Sequence, residues 1–114
     1  MPSWDDVVEI GKRFPGVEVG TWYGRPALKA GGKGFCALRE DPDALVVMVP
    51  DLDDKEALLQ GDPDVFFTTP HYDGYAFVLV HVEKVDADEL AELIEDAWRL
   101  LAPKRLVKAY DTES

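Results

Sequence analysis

With 114 residues, 46% of them hydrophobic, the chain is long enough for one conventional core, and no apolar run approaches the roughly 18 residues that a bilayer-spanning helix needs. Three Trp, four Tyr and five Phe set it apart from the aromatic-poor composition of disordered chains, so residues 1–114 are expected to fold as a single domain. Twenty-three acidic against twelve basic side chains give a net charge of −11, which repels polyanions and disfavours non-specific nucleic-acid binding.

Met1 to Asp6 has neither the basic start nor the apolar stretch of a signal peptide, so the expected compartment is the cytoplasm. Ser3 and Asp6 resemble a capping box with Asp in the Glu position, and Trp4, Val7, Val8, Gly11 and Phe14 recur at helical spacing. A helix is predicted over about 4–14. Pro15-Gly16 stops it. Val17–Trp22 and Ala27–Ala30 read as strands around the turn Tyr23-Gly24-Arg25-Pro26. Gly31-Gly32 supplies the two positive-φ positions of a type I′ hairpin, which makes Lys33–Arg39 the return strand. Glu40-Asp41-Pro42-Asp43 is a second polar turn, and the apolar run Ala44–Val49 suits a central strand.

Asp51 or Asp53 can cap a short helix that carries Leu52, Ala57, Leu58 and Leu59 and ends at Gly61 and Pro63. Val65–Thr69 and Ala76–Val82 are two further strands, joined by Pro70, His71, Tyr72, Asp73, Gly74 and Tyr75. Asp86 is read as the cap of the last long helix. There Leu90, Leu93, Ile94, Ala97, Leu100 and Leu101 share one face, and Glu89, Glu92, Glu95 and Asp96 take the other. Ala102-Pro103 interrupts it, and Lys104–Tyr110 adds a final turn or short helix with proline at its first position. The expected fold class is α+β: a single antiparallel sheet of five or six strands, made mostly by hairpins, with N- and C-terminal helices packed on one face.

These segments carry Phe14-Pro15-Gly16-Val17, Thr21 with Tyr23-Gly24-Arg25-Pro26-Ala27, Gly32-Lys33 with Phe35, and Leu58 with Asp62-Pro63. Phe66, Thr69-Pro70-His71-Tyr72, Gly74 with Val78, and Trp98 with Ala102-Pro103-Lys104 follow. In that order, over nearly the whole chain, the sequence resembles the MmcQ/YjbR-like proteins of bacteria. The resemblance implies a frataxin-like (CyaY-like) α+β fold. It also implies DNA binding, a label that members carry from their similarity to a "double wing" module, although fold analogy alone does not assign function.

Little in the residues points to catalysis or metal. One cysteine, Cys36, excludes an internal disulfide. A nucleophile reading of Cys36 needs His71 or His81 as base, but mid-strand a lone cysteine is expected to be a small buried hydrophobe. Asp51, Asp53 and Asp54 suggest a calcium loop until Lys55 and Glu56 fall where Asp or Asn and Gly are required, so a helix cap and acidic first turn are expected instead. His71 and His81, ten apart, lack zinc spacing. Asp5, Asp6 and Glu9 echo the acidic first helix through which frataxins bind iron, yet a solvated helix face accounts for them equally.

The residues most suited to recognition lie in loops. Trp22, Tyr23, Gly24 and Arg25 in one turn, and His71, Tyr72, Asp73, Gly74 and Tyr75 in the other, can stack a planar ligand or anchor a partner. Equally, Tyr23 and Tyr72 can close the core over the hairpin ends. Lys104, Arg105 and Lys108, with Lys33 nearby, form the single basic cluster: either a seat for phosphate or an acidic partner, or cations offsetting a helix C-terminus and the acids of 86–96.

The favoured reading is a non-catalytic binding module that uses the open sheet face and both aromatic loops, without metal, cofactor or membrane, as a monomer or weak dimer. Its candidate binding residues are Trp22, Tyr23, Arg25, Lys33, His71, Tyr72, Tyr75, Lys104 and Arg105, and its expected partner is a protein or a small anionic ligand. Two alternatives stand beside it. DNA binding requires a basic stripe across the sheet or the C-terminal helix. A small hydrolase or transferase would use Arg25, Lys33 and His71 to clamp a phosphate or carboxylate.

Overall fold

The computed structural model describes residues 3–22, 24–39 and 44–113. Helix α1 (Trp4–Gly11) opens where the Ser3 amide donates to the Asp6 carboxylate at 2.9 Å. It ends three residues short of the predicted Phe14, because Arg13 and Phe14 turn their amides to Ile10 and Gly11 carbonyls in tighter i to i−3 bonds. Strands β1 (Val17–Trp22), β2 (Arg25–Ala30), β3 (Lys33–Arg39) and β4 (Ala44–Met48) then form a meander. Its middle turn has Gly31 at φ 62° and Gly32 at φ 82°, as the hairpin requires. Helix α2 (Leu52–Gly61) starts on Asp51, whose carboxylate accepts from the Asp54 amide at 2.8 Å. The predicted turn 40–43 and Tyr23 lie outside the described residues.

Strands β5 (Phe66–Phe67) and β6 (Phe77–Val80) complete one antiparallel six-stranded sheet of order β1-β2-β3-β4-β6-β5. The predicted strand 65–69 shrinks to two residues, since the amides of Val65 and Phe66 both turn back to the Asp62 carbonyl. Helix α3 (Ala87–Leu101) has Asp86 at its N-cap position, but that carboxylate makes no cap bond. Helix α4 (Lys104–Glu113) is a full ten residues, running past Tyr110, where the predicted turn or short helix stops, with Pro103 just ahead of it. Packing explains the extension: Tyr110 joins Phe14 and Trp98 with ring centroids 5.1 to 5.4 Å apart, and Arg99 lies 5.5 Å from the Tyr110 ring. The Arg99 guanidinium also grips Asp111 through two bonds of 2.8 and 3.1 Å.

Alternation along the strands gives the sheet two unlike faces. Leu28, Cys36, Leu45, Val47, Val78 and Val80 face α1 and α3, where they meet Val7, Ile10, Leu90, Ile94 and Trp98. Burying each of these larger side chains contributes about 1.5–3 kcal/mol, so this layer is the core. Trp98 is fully buried and satisfies its indole N–H on the Pro15 carbonyl at 3.1 Å. The other face holds a smaller cluster of Ala44, Val46 and Leu79, partly covered by Phe67, Tyr72 and Phe77. No helix of the described residues is long and apolar enough to cross a membrane.

Candidate functional site

The helix-free face is built on small residues. One cross-strand row runs Gly20, Ala27, Ala37, Val46, Leu79, Phe67 through all six strands. Side chains are small at its β1 end and large at its β5 end, so the face is hollow over β2 to β4. Trp22, two residues beyond Gly20 on the same side, leans back over this floor. Its indole comes 5.8 Å from the ring of Phe77. Strands β1 and β6 are separated by three others, about 19 Å in a flat sheet, more than two aromatic side chains can span. The sheet therefore curls around this face, helped by a bulge in β3, where Phe35 is the extra residue between the pairs Leu28–Cys36 and Lys29–Gly34.

Gly34 lets the indole lie down. A Cβ there would sit 2.9 Å from Trp22 Cδ2, a distance at which ring or strand must move. Arg25 also differs from expectation: it is the first residue of β2 and pairs with Trp22, so it belongs to the sheet and not to the turn.

The loop between β5 and β6 closes the other side. Tyr72 and Asp73 amides donate to the Thr69 carbonyl at 2.9 and 3.0 Å, and the Tyr75 amide donates to the Tyr72 carbonyl at 3.1 Å, with Gly74 at φ 84° between them. From α2, Lys55 reaches beneath and donates its ammonium protons to the carbonyls of Tyr72 (2.6 Å) and Tyr75 (3.0 Å). At 5% exposure Lys55 is the one buried charged side chain among the described residues. Its charge is tolerable there because two carbonyl dipoles meet it.

Between indole and loop is a cavity of about 610 Å³, floored by Ala37 and Val46 and walled by Trp22, Phe77 and Tyr72, with Arg25, His71 and Tyr75 also lining it. That volume falls within the usual range of small-molecule sites, as does the pairing of apolar walls with a few polar groups. Tyr72 is half-buried against Phe77, with ring centroids 6.5 Å apart, and His71 meets Tyr72 edge-on at 4.8 Å. Tyr72 thus serves as packing. Tyr75, 62% exposed, does not.

Five of the nine sequence-predicted site residues, Trp22, Arg25, His71, Tyr72 and Tyr75, come together here. Tyr23 lies outside the described residues. Lys33, Lys104 and Arg105 are exposed elsewhere: Gly31 abuts Pro103, which brings the turn ahead of Lys33 to the start of α4. Lys104 and Arg105 open α4 and so stand at a helix N-terminus, not the C-terminus considered above, where the dipole does not favour them. Sequence reasoning missed Lys55, Gly34 and Arg39, the last with a buried Nη1 that bonds to nothing. An isolated lysine in the acidic first turns of α2 is the only local signal among the three.

Cys36 is fully buried on the helix-facing side, and burial pushes its thiol well up, away from the reactive thiolate. His71 lines the cavity on the opposite face, and His81 stacks on Phe67 at 4.3 Å. No group of three His, Cys, Asp or Glu side chains able to hold a metal occurs among the described residues.

A solved structure shares this architecture, and sequence relatives match along nearly the whole chain. The crystal structure of Deinococcus radiodurans protein DR2400, with domain DUF419, superposes with TM-score 0.77 over 99% of this chain and 88% of that one at 23% identity, a likeness of fold. Uncharacterized protein Rv2570 of Mycobacterium tuberculosis and Uncharacterized protein Mb2600 of Mycobacterium bovis are each 36% identical, over 96% of both chains. The YjbR family profile matches residues 12–100, which carry the whole sheet and nearly all of α3, and the chain therefore belongs to the YjbR family.

Proposed function

We propose that this protein is a binding module whose site is the curled, helix-free face of the sheet, and that it holds a small molecule there without transforming it. The observation that carries the reading is the convergence of Trp22, Arg25, His71 and Tyr75 on one cavity of about 610 Å³ over a floor of small residues. Exposed aromatic rings beside a guanidinium offer large contact area at little entropic cost. The non-catalytic half of the reading is supported by the separation of the groups that would have to cooperate. The thiol lies under the helices, the histidines lie on the other side of the sheet, and a nucleophile needs its base within hydrogen-bond reach.

The DNA-binding alternative would rest on Lys104, Arg105 and Lys108, which lie off the cavity on a chain of net charge −11. A thermal-shift screen of small aromatic acids, amides and amines against the protein and Tyr75→Ala tests the proposal. Stabilising compounds whose effect falls in the variant are expected. A screen with no hits, or hits indifferent to Tyr75→Ala, would refute it.

A further inference from the structure

Arg25 and Arg39 stand on neighbouring strands on the cavity side of the sheet. Ala27 pairs with Ala37 across β2 and β3, the last pair of that ladder before Pro26, and Arg25 and Arg39 each continue from it by two residues on the same face. Arg25 lines the cavity, and Arg39 follows the floor residue Ala37 by two positions on the same face. Neither guanidinium is in an ion pair among the described residues, although the chain carries 23 acids to 12 bases. Arg39 Nη1 is shut away from solvent and bonded to nothing. A buried, unbonded guanidinium N–H is costly, and natural proteins keep few. Two cations on one face of adjacent strands, Arg25 lining the apolar hollow and Arg39 carrying an orphaned donor beyond its floor residue Ala37, form an arrangement an oxyanion would complete.

We infer that Arg25 and Arg39 together seat the single oxyanionic group of a small molecule, a carboxylate or its phosphate or sulfonate equivalent, whose flat apolar body lies between Trp22 and Tyr75. The inference rests on the cavity's being a ligand site and adds the ligand's chemistry. Guanidinium forks match the two oxygens of such a group, and the walls of Trp22 and Phe77 over the Val46 floor match the flat body. One charge suits this molecule better than many. A small ligand feels the arginines at contact, within the Debye length of about 8 Å, whereas an extended polyanion meets the acidic surface around them.

The test is ligand-detected NMR titration of 2-naphthoate and its neutral analogue 2-naphthamide against the protein, Arg25→Gln and Arg39→Met. The naphthoate is expected to bind about tenfold tighter than the amide, the gain of one charge-assisted hydrogen bond, and each variant should bring that ratio toward one. Unliganded Arg39→Met should also melt at a higher temperature than the parent, because it removes the orphaned donor. Equal binding of acid and amide overturns the arginine seat while leaving the cavity as a ligand site. Binding of neither removes the cavity reading and the seat together. A preference that survives in both variants, or a lower melting temperature for Arg39→Met, also overturns the inference.

Discussion

Replacing Lys55 by Met would release the loop that walls the cavity. Methionine keeps the length and apolar stem of the side chain, so the perturbation is the loss of two charge-assisted bonds, at 2.6 Å to the Tyr72 carbonyl and 3.0 Å to the Tyr75 carbonyl. Such bonds are worth about 1.5–3 kcal/mol each with desolvation already included, an upper bound of about 3–6 kcal/mol for the pair. The two share one ammonium and do not add in full, and methionine keeps the packing of the buried stem. The Tyr72 carbonyl also keeps the Tyr75 amide at 3.1 Å. A net destabilisation of about 1–2 kcal/mol remains, which for a domain of this size lowers Tm by about 4–8 °C. Circular dichroism melting measures the stability, and amide hydrogen exchange locates the change. Exchange should quicken through residues 70–76 while β2, β3 and β4 keep their protection. An unchanged Tm together with unchanged exchange in that loop would show that Lys55 does not hold it.

Gly34→Ala puts a methyl 2.9 Å from the indole of Trp22. It should cost about 1–3 kcal/mol and shift the Trp22 indole resonance in NMR; an unmoved resonance would show that the close approach is not constraining. Gly32→Val meets no neighbour, so its penalty, about 1–2 kcal/mol read from urea melts, comes from φ 82° alone, and a neutral result would discount the hairpin geometry. Stability should rise as pH falls from 7 toward 4.5. Glu89 is held above its ordinary 4.5 by burial and then by Asp62, Asp86 and Glu92. Asp96 is held above its ordinary 3.8 by burial and then by Glu95, with Arg99 opposing. Both bind protons more readily folded than unfolded, so each favours the fold as pH drops through its raised value. Asp111, lowered by its bond to Arg99, acts oppositely, and its contribution is lost below 3.8. A Tm that falls steadily from pH 7 to 4.5 would contradict this assignment.

Local sequence made most of the fold legible, and tertiary contacts decided the rest. Gly31-Gly32 and the apolar run from Ala44 mark the meander because their signals act over a few residues. The end of α1 and the short β5 follow from backbone bonds that no residue type announces, those of Arg13 and Phe14 to Ile10 and Gly11 and those of Val65 and Phe66 to Asp62, whereas the length of α4 depends on a partner far along the chain, Phe14 against Tyr110. The candidate site divides the same way. Aromatic and basic residues in two loops were visible, and a curled sheet brings five of them together. Lys55 was hidden because its role depends on how α2 lies against a loop some twenty residues away. Gly34 was hidden because its conformation is ordinary and only the neighbouring indole requires it. Arg39 reads as an ordinary strand end, and only the folded strand places it on the same face as Ala37 with a buried, unbonded Nη1.

The central claim, that the curled face rather than the helix layer or the basic start of α4 is where this protein binds, is tested most directly by mapping backbone amide and indole NMR shifts during titration with a mixture of small aromatic acids. Saturable shifts are expected at Trp22, Arg25, Ala37, Val46 and residues 71–77, with the helices still. Shifts centred on Lys104, Arg105 and Lys108, or on α1 and α3, would contradict it.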